Sequence, residues 1–370
     1  MTTGRFIIGA NYGDEGKGTV TAHYAKQATG SVLNVLTNGG PQRGHTVVCD
    51  KGTFTFKHFG SGTCYGAHNY FASEFIVNPM QFMKELKELH PHFIVKTYMN
   101  RNCRWTTPYD MMANQIIERN RKEKHAEHGT CGMGIWETIV RSSVMININL
   151  DTFAMSSEEE QKQRLKSIKK YFEIKYFDYG KYTMTEEERN IWNSDGLVEH
   201  FIQDCKEMLN YIIVVGDIPK QYDEYLFENG QGLLLDGFSS FDVDHTTPSS
   251  TGVESFAEDM SFIDKFNIHY VTRPYLTRHG AGPFEDKRRK FISTNIQDDL
   301  MNHYNDFQGD FRYGKLDISK LKERVETDFR KFGNANTIST LEITHCDEMD
   351  REDEFKKYFE NYHIFDSAKV

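Results

Sequence analysis

I-I-G-A-N-Y-G-D-E-G-K-G, residues Ile7 to Gly18, runs a short β-branched segment into a loop with four glycines, one lysine and two adjacent carboxylates. Such a loop can turn successive backbone N–H groups toward one centre, and a helix starting at its end adds more, so it suits a phosphate group. Lys17 and a metal ion held by Asp14 would neutralise the phosphate charge. The stretch is P-loop-like without meeting G-x-x-x-x-G-K-[ST], which would place glycine at Asn11 and Ser or Thr at Gly18. The hydroxyl that normally holds magnesium is therefore missing, and Asp14 is the nearest substitute. The same residues also read as an ordinary strand, turn and helix, with Asp14 as no more than a helix cap.

The neighbouring segments extend the pattern. Val32–Leu36 is a second apolar run, and it feeds N-G-G-P-Q-R-G-H-T-V (Asn38 to Val47), a glycine turn that delivers His45. Further apolar runs at Phe6–Ile8, Phe93–Val95, Ile212–Val215 and Tyr270–Val271 predict strands, and Met80–Leu89 and Asp110–Lys122 predict helices between them. Strand–helix alternation of this kind predicts an α/β fold with a mostly parallel central sheet flanked by helices. The chemistry then belongs in loops at the carboxyl ends of the strands. Ser156 to Asn193 breaks the alternation with charged helical sequence, so residues 156–210 read as a helical insertion within a single domain spanning 1–370. That insertion reads as packed beside the core, with a lid as one role, or equally as a solvated helix pair with no role. Asp347 to Glu360 reads as a further charged surface helix.

Composition bounds the function. The chain has 370 residues, 38% hydrophobic and 13% aromatic, enough to bury a sizeable core. A net charge of -10 argues against a nucleic-acid partner, so phosphate binding must rest on local Arg and Lys. Six cysteines without C-x-x-C spacing and no signal sequence point to free thiols and a cytoplasmic protein, and no apolar run is long enough for a membrane span.

G-D-E-G-K-G and G-H-T-V together resemble the two signature blocks of the adenylosuccinate synthetase family. Three further blocks follow in family order: Gly129–Gly134 (G-T-C-G-M-G), Gly230–Asp236 (G-Q-G-L-L-L-D) and Tyr275–Phe284 (Y-L-T-R-H-G-A-G-P-F). The resemblance implies a Mg-dependent ligase that joins aspartate to carbon 6 of a purine nucleoside monophosphate at the expense of a nucleoside triphosphate. Asp14 would be the general base at purine N1 and a magnesium ligand, with the Gly44 carbonyl as second ligand. His45 would be the acid that stabilises the γ-phosphoryl group, and Lys17 would contact that group in flight. Asn11, Gly13, Glu15, Gly16, Gly18, Gln42, Arg43 and Thr46 would surround the nucleotide phosphates. Gly129 and Thr130 would hold the monophosphate with Ser249, Ser250 and Thr251, and Gln231 would meet the purine or its phosphate environment. Arg278 would orient a neighbouring loop. Arg141 stands where the family often places an arginine that reaches into the partner's site, which implies a homodimer; an ordinary surface arginine is the other reading.

Departures from the family pattern bear on substrate choice. The aspartate loop, usually T-T-G-R-x-R-R, reads F-Q-G-D-F-R-Y-G-K-L-D from Phe307, leaving Arg312 as the carboxylate fork and Lys315 as a weaker assistant. The guanine-reading T-K-L-D block is matched to S-T-L-E, Ser339–Glu342, so Thr340 and Glu342 would read the donor base and favour ATP or dATP over GTP. G-H-N-A-G-H-T becomes G-P-Q-R-G-H-T, and E-G-A-Q-G becomes E-N-G-Q-G. These changes resemble the viral branch, which acts on dGMP and makes N6-succino-2-amino-2'-deoxyadenylate for 2-aminoadenine DNA. Some members of that branch replace the catalytic aspartate, whereas Asp14 is retained here, and IMP stays open as acceptor. A GTPase-like switch would not need His45, and an inactive scaffold would not keep Asp14, Lys17 and His45 together.

Overall fold

Among the described residues, nine strands, all parallel, form the central sheet. From one edge they run Tyr362–Ile364, Thr337–Ile343, Lys265–Thr272, Thr3–Gly9, Glu224–Gly232, Val32–Leu36, His68–Phe71, Thr97–Asn100 and Ile212–Val215. This computed structural model describes residues 1–144, 147–238, 245–297, 304, 307–333 and 336–367. The central strands read as continuous apolar runs because both faces are covered: every residue of Val32–Leu36 is buried. Their carboxyl ends open into the loops that begin at Ala10, Thr37, Arg273 and Thr344, all on one rim of the sheet.

The expected strand at Phe93–Val95 is absent, and the chain extends only from Thr97. Phe93 instead follows the C-terminus of helix Pro79–Leu89, its N–H donating to the Leu89 carbonyl at 2.9 Å, and its ring enters the core. The expected helix over Asp347–Glu360 shrinks to one turn, Glu352–Phe355. Arg351 spends its guanidinium on the Pro274 and Leu316 carbonyls and on Glu354, which fixes the segment by tertiary contacts instead of a helical ladder.

Residues 156–210 contain helices Glu158–Phe172, Glu186–Trp192 and Asp195–Leu209. The first two begin with capping boxes, Ser157 with Glu160 and Thr185 with Glu188, which explains their sharp starts. Leu165, Ile168, Phe172, Trp192, Phe201 and Met208 are buried in the same core as Phe82 and Trp105. Each aliphatic or aromatic side chain so buried contributes about 1.5–3 kcal/mol of transfer free energy. They pack into the core as an insertion beside it would, and a solvated helix pair does not describe them. All six cysteines are free thiols, and among the described residues no helix is long and apolar enough to cross a membrane.

Candidate active site

The first strand ends at Gly9, and the loop that follows is held from within. Glu15 Oε1 accepts from the N–H groups of Asn11 (3.1 Å) and Gly13 (2.8 Å), and burial pushes the Glu15 carboxyl up. Asn11 is buried and donates to Thr272 Oγ1 at 3.0 Å, while its own oxygen accepts from Arg324. Both were expected on the nucleotide, and both instead brace the loop: their polar atoms face inward, toward backbone and neighbouring side chains. Gly16 caps helix Lys17–Gln27 with φ 89° and no side-chain bond to the first turn. A glycine cap has no side chain to cover the leading N–H groups of that helix, a start that suits an anion.

Lys17 is buried, its ammonium donating to the Gly13 carbonyl at 2.6 Å. Burial pulls its pKa down, against the attraction of Glu15 and Asp14. Together with Gly13, Asp14, Gly16, Gly18, Gly44, His45 and Thr46 it lines a cleft of about 570 Å³. A Cβ on Gly18 would lie 3.0 Å from His45 Cβ, so the helix start and the His45 turn are packed directly together.

His45 is set by a buried carboxylate that the sequence reading did not single out. Its Nδ1 meets Glu228 Oε1, and Glu228 also accepts from Ser61 Oγ (2.6 Å) and Ser61 N–H (2.9 Å). Arg43 Nη2 lies 3.0 Å from His45 Nδ1 and 3.4 Å from Glu228. Burial would raise the Glu228 carboxyl, but His45 and Arg43 outweigh it and hold it at about 2. Burial and Arg43 bring His45 down to about 4 against the pull of Glu228. The proton on Nδ1 therefore faces Glu228, and Nε2, buried without a partner, is left for substrate. Arg43, expected at the monophosphate, is turned into this cluster and is 2% exposed. Glu228 was legible as the first residue of E-N-G-Q-G, two positions before the glycine turn.

The far end of the cleft corrects the base-reading assignment. Thr340 and Glu342 lie within strand Thr337–Ile343 and do not line the cleft. Glu342 is fully buried and accepts from Tyr24 Oη (2.8 Å), with His269 and His363 Nδ1 at 2.7 and 3.1 Å. The cleft is lined instead by His345 and Asp347, just past the strand. T-H-C-D, Thr344–Asp347, keeps the T-x-x-D spacing of T-K-L-D, and that was the signal available in the sequence. Thr344 Oγ1 donates to the Glu15 carbonyl at 2.6 Å, joining this turn to the phosphate loop. His345 has φ 58°, a conformation that side chains rarely adopt and that recurs at functional turns. Arg273, also missed, lines the same cleft and donates to the Asp14 carbonyl at 2.7 Å.

A second cleft, about 510 Å³, lies across the Asn38–His45 segment and is lined by Asn38, Gly39, Ser249 and Ser250 among others. Asn38 Nδ2 donates to Gln231 Oε1 (3.0 Å) and Ser249 Oγ (3.3 Å). A Cβ on Gly39 would sit 2.7 Å from Gln42 Nε2 and 2.9 Å from Gln231 Nε2, so both amides converge over a bare glycine. Thr251 does not join them; it is buried, and its N–H donates to Asp236 at 2.8 Å.

Three assignments change in the monophosphate and aspartate regions. Thr130 Oγ1 donates to Asn114 at 3.0 Å and lines neither cleft, and Gly129 packs so close that a Cβ would lie 2.2 Å from the Ala281 nitrogen. Arg141 is fully buried, forking onto Asp110 at 2.8 and 2.9 Å and donating to the Trp105 carbonyl, so it does not extend toward a partner. Arg312 donates to the Gly280 and Gly282 carbonyls and stacks over Phe284, so it holds the G-A-G turn instead of presenting an open fork. Arg278 likewise donates to the Pro283 carbonyl and lies over Tyr12.

The donor set suits magnesium. Among the described residues no group of three or more His, Cys, Asp or Glu could cage a metal. Asp14 and Gly44 share the cleft with Lys17, and one carboxylate plus one carbonyl is what Mg²⁺ takes when triphosphate oxygens and water complete its shell.

The family model described as adenylosuccinate synthetase matches residues 6–366. The adenylosuccinate synthetase of Thermoplasma acidophilum is 24% identical over 341 residues, covering 87% of this chain and 72% of that protein. That of Wigglesworthia glossinidia brevipalpis is 28% identical over 297 residues, covering 75% and 64%. The chain thus spans about two thirds of the length of these relatives. Among solved structures, the fully ligated adenylosuccinate synthetase of Plasmodium falciparum superposes with TM-score 0.69 at 17% identity, over 95% of this chain and 78% of that one. The succinoaminodeoxyadenylate synthetase of cyanophage S-2L, bound to dGMP and dATP as an energy donor, superposes with TM-score 0.65 at 12% identity, over 100% and 94%.

Proposed function

The chain belongs to the adenylosuccinate synthetase family of C–N bond-forming ligases, and from that premise we propose that it condenses L-aspartate with dGMP, at the expense of ATP or dATP, to give N6-succino-2-amino-2'-deoxyadenylate. The observation that carries the chemistry is the convergence of Asp14, Lys17 and His45 on one cleft beside a helix N-terminus that starts at a glycine. The superposition over 94% of the cyanophage enzyme, against 78% of the Plasmodium falciparum enzyme, supports the viral substrate, while the latter has the higher TM-score. A second reading, IMP as acceptor with GTP or ATP as donor, is favoured by those cellular relatives and by the retained Asp14.

The purine 6-oxygen is a poor nucleophile until N1 loses its proton. Asp14 takes that proton and the negative charge moves to O6. O6 attacks the γ-phosphorus, and its bond to the β-bridging oxygen breaks to release the nucleoside diphosphate. Lys17 and the helix N–H groups hold the charge on the phosphoryl oxygens in place. His45 Nε2 faces the same charge with Glu228 behind Nδ1, so an approaching phosphate favours the imidazolium that the empty cleft disfavours. Magnesium, when bound, neutralises the triphosphate and aligns its oxygens. The aspartate amine then attacks carbon 6, and the phosphorylated oxygen leaves as inorganic phosphate. Gln42 and Gln231 orient the purine nucleotide over Gly39. In this proposal the active species is a soluble homodimer in the cytoplasm, the host's if the chain is viral.

One assay tests the reading. The purified protein is incubated with aspartate, Mg²⁺ and ATP, with dGMP or IMP as acceptor, and diphosphate and succinylated nucleotide are followed by chromatography. Turnover with dGMP and little with IMP is expected. Turnover with IMP alone overturns the viral substrate in favour of the second reading.

A further inference from the structure

The cleft that holds Lys17 at one end ends at Asp347 and Ser367 at the other. Ser367 N–H donates to Asp347 Oδ1 at 2.7 Å, and Ser367 Oγ donates to Oδ2 at 2.6 Å. Both oxygens of the carboxylate thus accept from two adjacent donors of one residue. This is the arrangement a guanine presents through N1–H and its 2-amino group, and it is the natural bidentate partner of a carboxylate. Adenine has no such pair: its N1 accepts, and only its 6-amino group donates.

We infer that Ser367 occupies the guanine-reading positions on Asp347 and thereby sets the phosphoryl-donor preference toward adenine nucleotides. The inference rests on the proposed donor site and names the residue that decides its base. The tail is not loosely apposed. Edge strand Tyr362–Ile364 pairs with Thr337–Ile343, Phe365 N–H donates to the Ile343 carbonyl at 2.8 Å, and Cys346 N–H donates to the Phe365 carbonyl at 3.1 Å. Ser367 is therefore carried to Asp347 by the same sheet edge that carries Asp347. A guanine entering the cleft has to break two charge-assisted bonds before it makes its own, whereas an adenine leaves them intact.

The test compares Ser367→Ala, which frees Oδ2, and Ser367→Pro, which removes the N–H as well, with Ser367→Thr as the conservative variant. Two quantities are measured with the full chain: kcat/KM for Mg-ATP and Mg-GTP at fixed acceptor and aspartate, and the dissociation constant of each triphosphate by titration calorimetry. The wild type is expected to prefer ATP. Its ATP-to-GTP ratio is expected to fall about tenfold in Ser367→Ala, the effect of one such bond, and further in Ser367→Pro. Ser367→Thr is expected to restore the wild-type ratio. An unchanged ratio in Ser367→Ala, by rates and by binding, overturns the inference, as does a wild type that uses GTP as well as ATP. If no acceptor supports turnover, the proposed reaction fails, and the two dissociation constants still decide the role of Ser367.

Discussion

At the scale of single residues, the site is built on buried charges whose partners fix their direction. Asp14 stands in the cleft with its carbonyl held by Arg273, so its side chain is presented by a pinned backbone. Asp14→Asn keeps the shape and removes the base. Turnover is expected to fall by about 10²–10⁴ while triphosphate binding, read by calorimetry, stays within a few-fold. Undiminished turnover would remove Asp14 from the base role. Thr340 makes the opposite point. Its place in the strand, outside the cleft, predicts that Thr340→Lys leaves the ATP-to-GTP ratio of kcat/KM unchanged. A shift toward GTP would restore the S-T-L-E assignment.

At the scale of elements, helices are aimed by their caps and tied down by buried ions. Helix Pro108–Lys122 starts with a capping box in which Asp110 accepts from the Thr107 N–H and hydroxyl, both at 2.7 Å, and the same carboxylate receives Arg141 from helix Ile135–Ser143. Arg141→Ala leaves Asp110 buried with its main cation gone. A loss of about 3–5 kcal/mol of stability is expected, read as a drop in the denaturant midpoint. An arginine serving a partner's site would instead cost activity with little change in that midpoint.

At the scale of the whole molecule, the sheet edge ties stability to acid. Burial alone would raise the Glu342 carboxyl, but bonds from His269 and His363 outweigh it and hold it at about 2. A carboxyl depressed below its unfolded value of 4.5 contributes stability that is present above pH 4.5 and lost as pH falls toward 2. Glu228 at about 2 adds to the same limb. The thermal midpoint is expected to fall steeply between pH 4.5 and 2.5, and Glu342→Gln is expected to flatten that fall. A variant that keeps the full wild-type slope would show that Glu342 does not carry it.

Local pattern alone determined the α/β class, the strands Val32–Leu36 and Ile212–Val215, and the glycine loops that carry Asp14, Lys17 and His45. Apolar runs buried on both faces and glycine turns after strands leave little choice at short range. The tertiary structure decided which of several plausible side chains reach the cleft. Glu228 comes from a strand, and Arg273 from the loop just past another, both far away in the chain, and no local spacing links them to His45 or Asp14. Arg141 and Arg312 have the chemistry of anion ligands, yet both are spent on internal partners, because a guanidinium satisfies its donors wherever the packing provides acceptors. Arg43 turns only Nη2 toward His45 and Glu228, and its Nε and Nη1 are buried without a partner. The block expected to read the donor base, S-T-L-E, lies within the strand, and T-H-C-D, five residues on, is the one at the cleft, for a related reason. T-H-C-D and S-T-L-E both fit a degraded motif, and only where strand Thr337–Ile343 ends determines which one emerges at the rim of the sheet.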